Sequence, residues 1–216
     1  MLKNKLGITD DVLLAREEER ITKEKAILLW ESGFLDTLPA GTFETLSRIH
    51  RFLFEEIYDF AGEIRRVNLA KGNFRFAPVM YLGAALDSIS AMPQNSFDQI
   101  IEKYVEMNIA HPFREGNGRA TRIWLDLILK KELCRVIDWS TVDKTEYLLA
   151  MERSPIRDLE IKYLLRGALT DRIHDRLVFM KGIDASYRYE GYTAYKTEEL
   201  TIKESPPCPP SPKSKP

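Results

Sequence analysis

Apolar residues recur at helical intervals along most of this chain. Leu14, Ile21 and Leu28 fall seven apart behind Thr9 and Asp10, and Gly33 follows as a stop, so a helix is expected to about Ser32. Leu46, Ile49, Leu53 and Ile57, at spacings of three and four, predict a second helix after Thr42. Ser96-Phe97-Asp98-Gln99 has the form of a capping box and opens a third, running to about Ala110. Further helices are predicted from Arg119 to Leu133, from Asp143 to Met151, and as one long element from about Leu159 to Met180 closed by Gly182. A short helix from Asp184, as cap, to Gly191 completes the series. Seven or so helices in one domain make an all-α fold.

One stretch departs from the helical period. Residues 64–78 read IRRVNLAKGNFRFAP, with Lys71-Gly72-Asn73 as turn residues between β-favouring flanks, the pattern of a short hairpin. Taken alone, the segment reads better as a plain surface connector, and the hairpin gains weight only from what lies beside it. At the other extreme, Ser205 to Pro216 hold six of the eleven prolines and no hydrophobic residue except Cys208. Such a segment cannot repay its ordering entropy by burial, so residues 201–216 are expected as a disordered tail behind one domain of about residues 1–200.

Composition narrows the function classes. A net charge of −1 over 216 residues gives no general attraction to nucleic acid or anionic membrane. No apolar run approaches the roughly 18 residues a membrane span needs. Cys134 and Cys208 are far apart, which argues for a reducing, cytoplasmic setting rather than a disulfide framework. Three scattered histidines, His50, His111 and His174, cannot build a multi-histidine zinc centre, and no GxxxxGK[ST] loop is present.

The chemistry gathers in His111-Pro112-Phe113-Arg114-Glu115-Gly116-Asn117-Gly118-Arg119 and Arg122. Pro112 disfavours helix at the residue before it, so a helix should end near His111. Gly116 and Gly118 let a ligand approach the main chain. A helix starting at about Gly118 aims its first amides outward as an anion site. Arg119 and Arg122, three apart, suit a polyphosphate beside that terminus. Glu115 supplies a hard oxygen for Mg²⁺, His111 can accept a proton near neutral pH, and Phe113 should anchor the loop inward. Paired arginines, a GxG or a helix-end histidine are each commonplace; their conjunction within twelve residues is what points to one site.

The string resembles the signature of Fic domains, His-x-Phe-x-(Asp/Glu)-Gly-Asn-Gly-Arg-x-x-Arg, and matches every fixed position. The resemblance covers about residues 10 to 195, with a core of about 43–180. It implies transfer of AMP from ATP to a Tyr, Thr or Ser hydroxyl of a target protein. It further implies His111 as the general base, Glu115 as the Mg²⁺ ligand, and Gly116, Asn117, Gly118, Arg119 and Arg122 as the phosphate cradle. By the same resemblance the hairpin is a flap, with Lys71, Gly72, Asn73 and Phe74 docking the target main chain. Gly118 favours AMP transfer over the phosphate transfer of a branch with Lys there. Ser186-x-x-x-Glu190-Gly191 resembles the inhibitory motif of members braked from their C-terminal end, where the glutamate occupies the second arginine, here Arg122. Two other functions compete: metal-dependent removal of AMP from modified proteins through Glu190, and a non-catalytic nucleotide- or protein-binding module. Self-association stays open, and Tyr187 and Tyr189 are candidate self-modification sites.

Overall fold

The structure, a computed structural model, describes residues 2–72 and 74–200. Its order is α1 (Asp11–Glu31), the single-turn α2 (Phe34–Thr37), α3 (Phe43–Phe54), strands β1 (Ala70–Lys71) and β2 (Phe74–Arg75), then α4 (Val79–Ala91), α5 (Phe97–Ala110) and α6 (Asn117–Leu133). Strand β3 (Val136–Ile137), α7 (Lys144–Arg153), α8 (Leu159–Gly167), β4 (Leu169–Thr170) and α9 (Arg176–Tyr189) complete it. The fold is helical with short strands only, as the apolar periodicity requires.

Caps set the predicted starts. Asp10 accepts from the Leu13 amide, Thr42 from Thr45 and Ser96 from Gln99, fixing α1, α3 and α5 where the sequence placed them. The Gln99 side chain accepts from the Asn95 amide, one residue before the position a reciprocal capping box uses. α6 is the centre of the molecule. Its Trp124, Leu125, Ile128 and Leu129 are fully buried, and α3, α5 and α9 pack around it. The hairpin is real, with Ala70 opposite Arg75 and Lys71 opposite Phe74; Asn73, predicted at its turn, lies outside the described residues, as does the tail 201–216.

Several expected boundaries differ. The long helix 159–180 is two elements: α8 ends at Gly167, and β4 then pairs with β3 in a second antiparallel ribbon. Asp175 caps a new helix by accepting from the Leu177 amide. Gly182 does not stop that helix. It faces the Trp139 indole, where an added Cβ would stand 3.2 Å from the ring. The expected separate helix 184–191 is therefore the last turns of α9. Asp184 is no cap: it accepts from the Thr197 amide and pairs with Lys23 at 3.0 Å. Gly191, at φ 95°, does end the helix as expected. α4 was not predicted, although its buried Leu82, Leu86 and Ile89 follow a helical interval.

The break before α9 gives a direct test. Asp175→Ala should cost about 1 kcal/mol in urea unfolding, the usual worth of an N-cap. A continuous helix through residue 175 would make the substitution neutral or slightly stabilising.

Candidate functional site

The loop between α5 and α6 is assembled from three sides. α5 ends on His111, which takes a left-handed φ of 50° as the C-cap and turns the chain toward Pro112. Phe113 is fully buried. The Asn117 side chain closes the loop on itself, accepting from the Phe113 amide and donating to the Phe113 carbonyl, each at 2.8 Å. Asn117 thus serves as a loop clasp and the first residue of α6. Gly116 adopts φ 74°, and a Cβ there would lie 2.3 Å from the Phe54 ring, so only glycine fits.

His50 and Arg65 hold this loop, and the sequence pattern singled out neither as part of the site. The Gly62 amide donates to His50 Nδ1 at 2.9 Å, so the proton stands on Nε2, which donates to the Glu115 carbonyl at 2.8 Å. Its ring stacks on Phe113 at 3.8 Å. Burial drives its pKa down from 6.5 to about 3, the Glu115 carbonyl offsetting only part of that. Arg65 donates to the carbonyls of His111 (2.7 Å), Val67 (2.7 Å), Ala77 (2.5 Å) and Ala110 (3.1 Å). A guanidinium at the carbonyl end of α5 is well placed electrostatically, and this one ties both legs of the hairpin to the His111 turn. A lone arginine in a basic stretch carries no sequence signal for such a role.

Phe76, at the hairpin's base, stacks on the His111 imidazole at 3.7 Å. Burial lowers the His111 pKa from 6.5 to about 4, against upward pulls from the Asn108 backbone and the Glu190 carboxylate. The ring is therefore neutral and able to accept a proton well below neutral pH.

The anion site expected at the start of α6 already holds a carboxylate. Glu190 Oε1 accepts from Arg122 Nη2 at 2.6 Å, and its Oε2 accepts from Arg119 Nε at 3.1 Å. The expectation had Glu190 on Arg122 alone; it spans both arginines. Arg122 also donates to the Ser186 hydroxyl (2.6 Å) and carbonyl (3.0 Å), which gives Ser186 its place four residues before Glu190. Gly118 lies directly beneath: a Cβ there would stand 2.2 Å from Glu190 Oε1. Burial alone would raise the Glu190 carboxyl, but Arg119 and Arg122 together hold it below its ordinary value. Arg119 is bonded all round, with Nη1 to Glu18 at 2.7 Å and Nη2 to Glu115 at 3.0 Å.

Glu115 is the least enclosed member, its side chain 38% exposed. Its Oε1 accepts from the Gly116 amide and from Arg119. Among the described residues no group of three or more His, Cys, Asp or Glu could hold a metal. A single carboxylate at the rim of an anion site fits Mg²⁺ that arrives with phosphate oxygens and water. Of the expected flap residues, Lys71, Gly72 and Phe74 lie at the hairpin tip, and the Lys71 charge acts on both His111 and Glu190. Tyr187 and Tyr189 are 1% and 3% exposed, so burial opposes their self-modification.

A helical body, a hairpin leaning on the histidine, and a glycine-lined turn into a central helix define one class of domain. The chain matches the Fic/DOC family over residues 41–129. It is 29% identical over 201 residues to "Protein adenylyltransferase VbhT" of Bartonella schoenbuchensis, covering 85% of this chain and 40% of that protein. It is likewise 29% identical over 137 residues to "Probable protein adenylyltransferase Fic" of Salmonella typhimurium, covering 58% of this chain and 66% of that protein. The match thus spans less than two thirds of either relative's length. In fold it resembles the crystal structure of the effector BepC from Bartonella tribocorum with bound AMPPNP, at a TM-score of 0.63 and 20% identity, covering 79% of this chain and 92% of that one. Among the described residues no helix is long and apolar enough to cross a membrane.

Both imidazoles should reveal themselves by titration. Proton NMR should place the His111 midpoint near 4, and Phe76→Ala should raise it toward 6.5 by readmitting water; a midpoint already near 6.5 would mean the stack does not form. Because the His50 pKa is depressed in the folded state, its stabilisation is present above 6.5 and is lost as pH falls from 6.5 toward about 3. The stability advantage over His50→Asn should therefore shrink on acidification, by up to about 1.4 kcal/mol per pH unit in that window.

Proposed function

We propose that the chain transfers AMP from ATP to a Tyr, Thr or Ser hydroxyl of a target protein and is braked by its own Glu190. The observation that carries this reading is the carboxylate spanning Arg119 and Arg122 over Gly118: an anion already occupies the place built for anions. In the active arrangement the triphosphate replaces Glu190. The first amides of α6 and the two guanidinium groups then hold phosphate oxygens, with Arg122 on the γ-phosphate. Mg²⁺, held by Glu115, would neutralise phosphate charge. His111 takes the proton from the target hydroxyl as its oxygen bonds to the α-phosphorus. The bond from that phosphorus to the bridging oxygen breaks, and pyrophosphate leaves. Most of the rate gain comes from positioning and fixed charge.

The hairpin, at Lys71, Gly72 and Phe74, would present strand edges to the target's main chain beside His111. Such docking selects an extended segment with an exposed hydroxyl more than a particular sequence. With Glu190 on Arg122, the γ-phosphate has no seat and the α-phosphate lies out of line for attack. The alternative in which Glu190 activates water to remove AMP is less favoured, since a carboxylate bonded to two arginines is a poor base. A purely binding role leaves the neutral, half-buried His111 without purpose. The cytoplasmic setting rests on the spacing of the two cysteines, and self-association would be read by light scattering on the same preparation.

Glu190→Gly should raise incorporation of label from α-labelled ATP into lysate proteins by about tenfold or more, with none from γ-labelled ATP. His111→Ala in that background should lower the rate by roughly 10²–10⁴-fold, the usual share of a general base. Equal activity of Glu190→Gly and the parent would overturn the brake. Label retained from the γ position would overturn AMP transfer.

A further inference from the structure

Arg119 is held from behind by a residue that lies outside the segment matched to the family. Glu18, in the middle of α1, is 2% exposed. Its Oε1 accepts from Arg119 Nη1 at 2.7 Å and from the Tyr192 hydroxyl at 2.8 Å, while Oε2 accepts from the Tyr58 hydroxyl. A guanidinium is planar, and its donors point in fixed directions. Here the three nitrogens are divided among three carboxylates: Nε to Glu190, Nη2 to Glu115, Nη1 to Glu18. The Nε–Nη2 edge therefore faces the anion site, and the Nη1 corner faces α1.

We propose that Glu18 is a positioning residue for nucleotide binding, fixing Arg119 at its Nη1 corner so that the Nε–Nη2 edge stays turned toward the phosphates once Glu190 has left. The inference rests on the AMP-transfer reading above. When a triphosphate displaces Glu190, and Glu115 turns to its metal, two of the three carboxylates release the guanidinium. Glu18 alone remains. It cannot leave with them, because Tyr58 and Tyr192 bond both of its oxygens. The rings of Phe54, Tyr187 and Tyr192 flank Arg119 at 4.9, 5.3 and 4.7 Å, confining its position without fixing which nitrogens face outward. That choice falls to Glu18. A neutral glutamine can keep its oxygen on Nη1 only by donating its amide to Tyr58, and it loses the charge that makes this bond strong enough to hold the guanidinium plane.

The test is calorimetric titration of AMPPNP with Mg²⁺ into three proteins that all carry Glu190→Gly: that variant alone, with Glu18→Gln, and with Tyr192→Phe. Adenosine serves as a phosphate-free control. Glu18→Gln should weaken AMPPNP by about tenfold or more, the worth of one hydrogen bond to a charged group, and leave adenosine unchanged. Tyr192→Phe, which removes only a hydroxyl and keeps the ring, should act in the same direction by less. It carries the test should Glu18→Gln fail to fold. Unchanged AMPPNP binding in the variants that fold overturns the role of Glu18 and leaves the AMP-transfer reading standing. Equal loss of AMPPNP and adenosine overturns it in favour of a merely structural acid. Failure of Glu190→Gly alone to bind AMPPNP overturns the AMP-transfer reading, and this inference with it.

Discussion

Two arginines buried three residues apart at the start of a helix are an electrostatic problem before they are a site. Arg119 and Arg122 are 1% and 4% exposed, and each would be costly to leave without a negative partner. The helix N-terminus beside them adds further positive potential. Everything around α6 answers that demand: Glu18 from α1, Glu115 from the loop, and Glu190 from the end of α9. The chain is thus folded around a cationic centre neutralised by its own carboxylates, one of which the proposed reaction replaces with a nucleotide. Of these acids only Glu190 arrives on a helix end, where the chain can give way without opening the core.

The same arrangement explains why α9 is one helix rather than two. To bring Ser186 and Glu190 onto Arg122 together, their four-residue spacing must be helical, and the segment must be braced from behind. Gly182 lets the helix close on Trp139. Asp184 and Lys23 fasten its outer side, and Glu19 accepts from the amides of Ala194 and Tyr195 just beyond it. The end of α9 is therefore bound to α1 as well as to the arginines. If Glu190 acts as the proposed brake, its release is a change in a joined surface, not the swing of a loose tail.

The His111–Arg122 segment is legible as a candidate site because it is local: seven candidate residues lie within twelve positions. Most helix starts were legible through their caps. What escaped was long-range. Glu18 and Glu19 sit in a run of charged residues that reads as a solvated face, yet both are buried, because their partners come from residues 119 and 194–195. His50 carries no signal in the sequence for its place beneath Glu115, because its partners come from residues 62 and 115. The α8–α9 break was missed because β4 is two residues long and too short for any periodicity to register.

Arg65 has a further consequence. By bonding to Val67 and Ala77 on one side and to Ala110 and His111 on the other, a single planar group becomes the common mounting of the hairpin and the His111 turn. Thermal tilting of the hairpin must carry the imidazole along with it. In the proposed reaction, an extended segment laid along the hairpin would keep its distance to the ring constant even while the whole assembly rocks. Alignment is then inherited from one rigid bracket, and a loosely chosen substrate can still be modified at one defined atom.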